Sequence, residues 1–109
     1  MQETEKKKIL IIEDEKPLAH ALLLKLSHEG FDVITTESGQ KGLDYLDAEH
    51  FDLVLTDLII PGVDGFKVLE TMREKGLTIP VIVITSDCTV SALQAHAPIP
   101  ISEKMVFRV

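Results

Sequence analysis

Ile9-Leu10-Ile11-Ile12-Glu13-Asp14-Glu15 is the stretch on which the fold turns. Its aliphatic residues run without alternation and stop against three carboxylates. A strand with one face in water alternates apolar and polar residues, so an unbroken run predicts a strand covered on both faces. Pro17 follows where a helix can begin, since its fixed φ suits the first turn and its missing N–H leaves no donor unpaired there. Leu18, Leu22 and Leu26, with Ala19 and Leu23, then recur at helical spacing, and Gly30 supplies a stop.

The same alternation repeats outward from this unit. Phe31 to Thr36 reads as a second strand, and Ser38 as the N-cap of a helix carrying Leu43, Tyr45 and Leu46 as far as His50. Leu53-Val54-Leu55-Thr56-Asp57 is a third strand, again ending on a carboxylate. Turn formers fill the loop from Leu58 to Gly65, and a third helix, about Phe66 to Lys75, buries Val68, Leu69 and Met72 before Gly76. Pro80 introduces Val81-Ile82-Val83-Ile84, a fourth strand ending at Thr85-Ser86-Asp87. Beyond it Val90 to Ala95 has room for a short helix, Pro98 and Pro100 break regularity, and Met105 to Val109 reads as a last strand. Repeated strand–helix units predict an α/β domain with a doubly wound parallel sheet, because parallel neighbours need crossover connections. Ligands of such sheets sit beyond the carboxyl ends of the strands.

Composition sets bounds on this reading. A chain of 109 residues holds one domain, and 45% apolar with 27% charged residues is ordinary for a globular protein. The formal charge of -7 argues against binding nucleic acid through phosphate neutralisation. Cys88 is the only cysteine, so no internal disulfide is available and a reducing cytoplasm is the expected location. No apolar run approaches the roughly 20 residues of a membrane span, and residues 1–8 form a polar tail.

Neighbouring strands lie about 4.8 Å apart, so carboxylates at the ends of adjacent strands can converge on one ion. If the first and third strands are neighbours, Asp14 and Asp57 face a common point with Glu13 close by. An all-oxygen donor set selects a hard cation such as Mg²⁺. Glu13-Asp14-Glu15 has a plainer alternative, a solvated loop capping the next helix. His20, His28, His50 and His96 are scattered without metal-ligand spacing, and no glycine-rich phosphate loop is present.

Taken in order, Ile9 to Glu15, Asp57-Leu58-Ile59-Ile60-Pro61-Gly62-Val63-Asp64-Gly65, and Val81-Ile82-Val83-Ile84-Thr85-Ser86 resemble the response-regulator receiver family from Lys8 to Asp87. The resemblance implies a flavodoxin-like strand order of 2-1-3-4-5 and a two-component signalling switch that turns over no external substrate. It implies that Asp57 accepts a phosphoryl group from a phosphohistidine on a sensor histidine kinase or phosphotransfer protein. It further implies that Asp14 ligates Mg²⁺ directly, Glu13 directly or through water, and Ile59 through its backbone carbonyl. Thr85 would donate its hydroxyl to the phosphoryl oxygens. Lys104 is the candidate for the family's lysine at the end of the fifth strand, against the alternative of an ordinary surface lysine.

The chain departs from the family after Asp87. The fourth helix is shortened, the fifth is absent, Ile101 stands where an aromatic residue is common, and 88–109 reads as a divergent or truncated part of a single domain spanning 1–109. An output domain or a homodimer completes the expected partners. Two other functions stay open at this level: a pseudo-receiver that signals by contact without being phosphorylated, and an aspartyl phosphatase. The phosphatase is the weakest, because Ile59 stands where a second carboxylate would serve as general acid.

Overall fold

A computed structural model of the chain describes residues 6–57, 65–85 and 105–108. Its elements are β1 (Lys8–Ile12), α1 (Lys16–His28), β2 (Asp32–Thr36), α2 (Gly39–Ala48), β3 (Leu53–Asp57), α3 (Gly65–Glu74), β4 (Val81–Thr85) and β5 (Met105–Arg108). The strands form one sheet in the order β2-β1-β3-β4-β5, and every neighbouring pair is parallel. This is the doubly wound arrangement expected from the alternation of strand and helix. Residues 86–104, where a shortened fourth helix is expected, lie outside the described residues, Cys88, His96 and Ile101 among them.

The unalternating run of β1 has a direct cause. Successive side chains of a strand point to opposite faces, and here Leu10 and Ile12 enter one core while Ile9 and Ile11 enter another. The first core is closed by Leu43 and Leu46 of α2 and by Val68, Leu69 and Met72 of α3. The second is closed on one side by α1, whose Leu22 and Leu26 are only partly buried.

Helix ends follow local chemistry. Ser38 caps α2 as expected, its Oγ accepting a hydrogen bond from the Lys41 N–H at 3.0 Å. Gly30 and Gly76 adopt φ of 100° and 72° just after α1 and α3, a conformation that residues with a Cβ rarely take. Pro17 falls in the first turn of α1. The N-cap of that helix, Glu15, makes no side-chain capping bond; Asp14 and Glu15 are exposed, as a solvated loop would leave them, whereas Glu13 is buried.

At the amino end of the sheet the polar groups are paired. The Lys8 N–H donates to Asp52 Oδ2 at 2.8 Å, and His50 Nε2 lies 3.3 Å from Asp52 Oδ1. The Lys8 ammonium pairs with Glu49 and stands 5.1 Å above the Phe51 ring. The Lys8 N–H, foremost, and then His50 hold the Asp52 carboxyl below its ordinary range, against some desolvation. Within the Lys6-Lys7-Lys8 triplet, Lys8 therefore serves as a strand anchor.

Candidate functional site

Parallel register builds the site. Ile12 is level with Thr56, so the next residues, Glu13 and Asp57, leave adjacent strands side by side at the carboxyl edge of the sheet. Glu13, Asp14 and Asp57 each offer a carboxylate oxygen, and these oxygens all lie within 4.8 Å of one another. Asp14 is exposed, Asp57 half-buried and Glu13 only 3% exposed.

Glu13 is held in place from both sides. Its backbone N–H donates to the Thr36 carbonyl at 2.9 Å, and its Oε2 accepts from the Glu15 N–H at 3.0 Å. Its other oxygen, Oε1, is buried without a hydrogen-bond partner. Burial, first, and then repulsion from Asp57, Asp14 and Glu15 push the Glu13 carboxyl above its ordinary value, outweighing the lowering effect of the Glu15 N–H. A buried acceptor left unpaired costs about 1–3 kcal/mol. The arrangement is thus poorly satisfied by protein groups alone.

The donor chemistry fits a hard divalent cation, which takes carboxylate oxygens and offsets like-charge crowding. An orphaned, buried Oε1 beside two further carboxylates is the feature such an ion would complete. A cleft of about 340 Å³ opens beside Glu13 between α1 and α2, lined among others by Lys16, His20, Lys41 and Tyr45. Of the three carboxylates, Glu13 is the one that lines it.

Thr56, fully buried, donates from Oγ1 to the Asp57 carbonyl at 2.9 Å and stiffens the end of β3. Asp57 itself is registered with Ile84, which places it one residue short of Thr85 across β3 and β4. The backbone of Thr85 closes β4; its side chain lies outside the described residues, as do Ile59 and Lys104. The residue after Lys104, Met105, is registered with Ile82, near the amino end of β4, and the residue level with Thr85 is Arg108.

Residues 9–101 match the family described as the response regulator receiver domain. The chain belongs to the response-regulator receiver family. The receiver is 41% identical over 78 residues to the response regulator ArlR of Staphylococcus aureus, an alignment spanning 72% of this chain and 35% of that protein. It therefore spans about a third of the length of the curated relatives it matches. Among solved structures, the response regulator TrrA of Thermotoga maritima, determined in complex with Mg²⁺-BeF, superposes with a TM-score of 0.78 at 26% identity over 94% of this chain and 85% of that one. The chemotaxis protein CheY4 of Vibrio cholerae shares the fold alone, with a TM-score of 0.82 at 18% identity over 95% of this chain and 87% of that one.

For this receiver, the structure brings together Glu13, Asp14 and Asp57 of the residues singled out from sequence. It adds the supports of Glu13, the Thr36 carbonyl and the Glu15 N–H, which the sequence reading did not single out. Neither carries a residue-type signal, because both act through the backbone and one of them through strand pairing. His20, His28 and His50 are exposed, and none belongs to the carboxylate cluster. No helix among the described residues is long and apolar enough to cross a membrane.

Proposed function

We propose that this receiver is phosphorylated on Asp57 by a sensor histidine kinase or phosphotransfer protein, with Mg²⁺ held by Glu13, Asp14, Asp57 and the carbonyl of Ile59. The observation that carries the reading is the convergence of three carboxylate oxygens within 4.8 Å, one of them on a buried side chain with an unpartnered atom. Family membership supports it, as does the Mg²⁺-BeF complex of the similar TrrA.

An Asp57 oxygen attacks the phosphorus of the phosphohistidine in line with the leaving imidazole; the P–N bond breaks as the P–O bond forms. The Thr56 hydroxyl, bonded to the Asp57 carbonyl, keeps the end of β3 fixed during the attack. Glu13 and Asp14 would hold the cation, which when bound would supply positive charge against the repulsion between the incoming phosphoryl oxygens and the carboxylates. Thr85 then donates its hydroxyl to the phosphoryl group, and that bond biases the switch. Lys104 is the expected pairing cation by resemblance alone, since the register of Met105 with Ile82 sets the start of β5 toward the amino end of the sheet, away from Asp57; Lys104→Ala tests the role, and unchanged phosphorylation would remove it from the site. The domain acts on its own aspartate and turns over no external substrate, and we place this chemistry in the cytoplasm.

Intact mass after treatment with acetyl phosphate and Mg²⁺ tests the proposal. One phosphoryl group is expected on the wild-type chain, and none on Asp57→Asn or in the presence of EDTA. A wild-type chain that gains no mass, or an Asp57→Asn chain that gains it, would sink the reading.

A further inference from the structure

The cleft between α1 and α2 is built wholly from residues 13–45, which the structure describes without a break. Its volume of about 340 Å³ falls at the low end of the range for ligand sites, about 300–1,000 Å³, which suits a small molecule. On α1 it is lined by Lys16, Ala19 and Leu23, which share one helix face at spacings of three and four residues. Lys41 and Tyr45 line it from α2, again four residues apart. Glu13 and Glu37, which follow β1 and β2, bring carboxylates to the same space.

The two lysines sit where a helix least favours them. Lys16 opens α1 and Lys41 lies in the first turn of α2, where the positive pole of the helix opposes a cation. Neither first turn holds a carboxylate, and neither ammonium has a partner among the described residues. An anionic group in the cleft would offset both charges. Glu13 calls for the reverse, because its buried Oε1 lacks any donor. Between these charges Ala19, Leu23 and the Tyr45 ring, all half-buried, offer apolar surface. A simple anion would leave the Glu13 oxygen unpaired and meet two carboxylates, and a simple cation would meet two lysines. A small molecule with one charge of each sign and a short hydrocarbon part suits every wall at once.

We propose that this cleft binds a free α-amino acid with an apolar side chain, its carboxylate between Lys16 and Lys41, its ammonium on Glu13 Oε1, and its side chain against Ala19, Leu23 and Tyr45. At neutral pH an α-carboxyl group is ionised and an α-amino group largely protonated, so such a ligand carries both charges. Bonds between ionised partners are also the stronger class. Binding here requires neither Asp57 nor a phosphoryl group, so it stands apart from the proposed phosphorylation. Glu13 is common to the cleft and the carboxylate cluster, and leaving out Mg²⁺ keeps its oxygen uncontested.

Titration of the isotope-labelled chain with L-leucine and L-phenylalanine, followed by heteronuclear NMR without Mg²⁺ or phosphodonor, tests the proposal. Saturable shifts are expected at the residues of α1 and α2 that line the cleft. Isocaproate, which is leucine without its ammonium, and isoamylamine, which is leucine without its carboxylate, should bind at least about tenfold more weakly, as loss of one bond between charged groups implies. Lys41→Ala and Glu13→Gln should each weaken leucine binding by a similar factor, and Lys25→Ala, exposed on α1 outside the cleft, should leave it unchanged. Lys41 is exposed and meets the Ser38 cap through its backbone N–H, so circular dichroism of Lys41→Ala should match that of the wild type. No saturable binding of either amino acid, a single-charge analogue that binds as tightly as leucine, or leucine binding that both cleft substitutions leave intact would each overturn the proposal. Any of these would leave the phosphorylation of Asp57 standing, since no phosphodonor takes part.

Discussion

The two ends of the sheet use the same residue type in opposite ways. At the amino end, Asp52 receives the Lys8 N–H and lies beside His50, while Glu49 pairs with the Lys8 ammonium. At the carboxyl end, Glu13, Asp14 and Asp57 crowd together, and the most deeply buried of them keeps an oxygen without a hydrogen-bond partner. The contrast extends to proton affinity, with Asp52 pulled down by a donor and Glu13 pushed up by burial and by like charges. A carboxylate that the fold satisfies is structural. A set that the fold crowds together with a buried oxygen unpaired has the donor chemistry of a cation site.

Removing a carboxylate from each end separates the two roles most sharply. Mg²⁺ at 100 times its dissociation constant is expected to stabilise the domain by about 2.7 kcal/mol. Asp14→Ala should abolish that gain in thermal melts, whereas Asp52→Asn should keep it in full. Equal losses in both variants would mean that the ion is not bound where the carboxylates converge.

A smaller effect is expected from Gly42, which lets α2 approach β1 directly beneath the site. A Cβ there would stand 2.4 Å from Ile12 Cδ1 and 2.8 Å from Ile12 Cγ1. Ile12 is fully buried and precedes Glu13, so its side chain would have to shift within a packed interior. Overpacking of this sort costs about 1–3 kcal/mol. Gly42→Ala should lower the urea midpoint by a corresponding amount and weaken Mg²⁺ binding as the end of β1 shifts. Unchanged stability would show that the packing at this end yields more readily than its close approach implies.

The smallest effect belongs to the amino end and appears only in acid. A carboxyl group whose folded pKa is depressed contributes stability above its unfolded pKa, about 3.9 for aspartate, and loses it as pH falls through the lower folded value. Wild-type stability should therefore decline across that window more steeply than that of Asp52→Asn, which has no such proton to take up. Parallel declines would remove Asp52 from the account of acid sensitivity.

Much of this architecture is legible in order along the chain. The run Ile9 to Ile12 specifies a strand buried on both faces, Ser38 a cap, and Gly30 and Gly76 helix ends, because backbone sterics and burial act over a few neighbouring residues. The acidic cluster is legible too, since carboxylates stop two strands that a doubly wound sheet places together. Boundaries are less so: α1 starts at Lys16 and β2 at Asp32, each one residue from the position expected, because the register with β1 sets where β2 begins.

What residue types and spacing determined for this receiver was therefore which segments become strands and helices, and which carboxylates stand at strand ends. Tertiary structure alone decided that Glu13 is the enclosed member of the set, anchored by the carbonyl of Thr36 and the N–H of Glu15, while Asp14 beside it stays in water. It alone set Lys16, Lys41 and Glu13 around one cleft. The physical reason is that periodicity records which faces of an element are apolar, whereas burial and pairing depend on residues brought near from elsewhere in the chain.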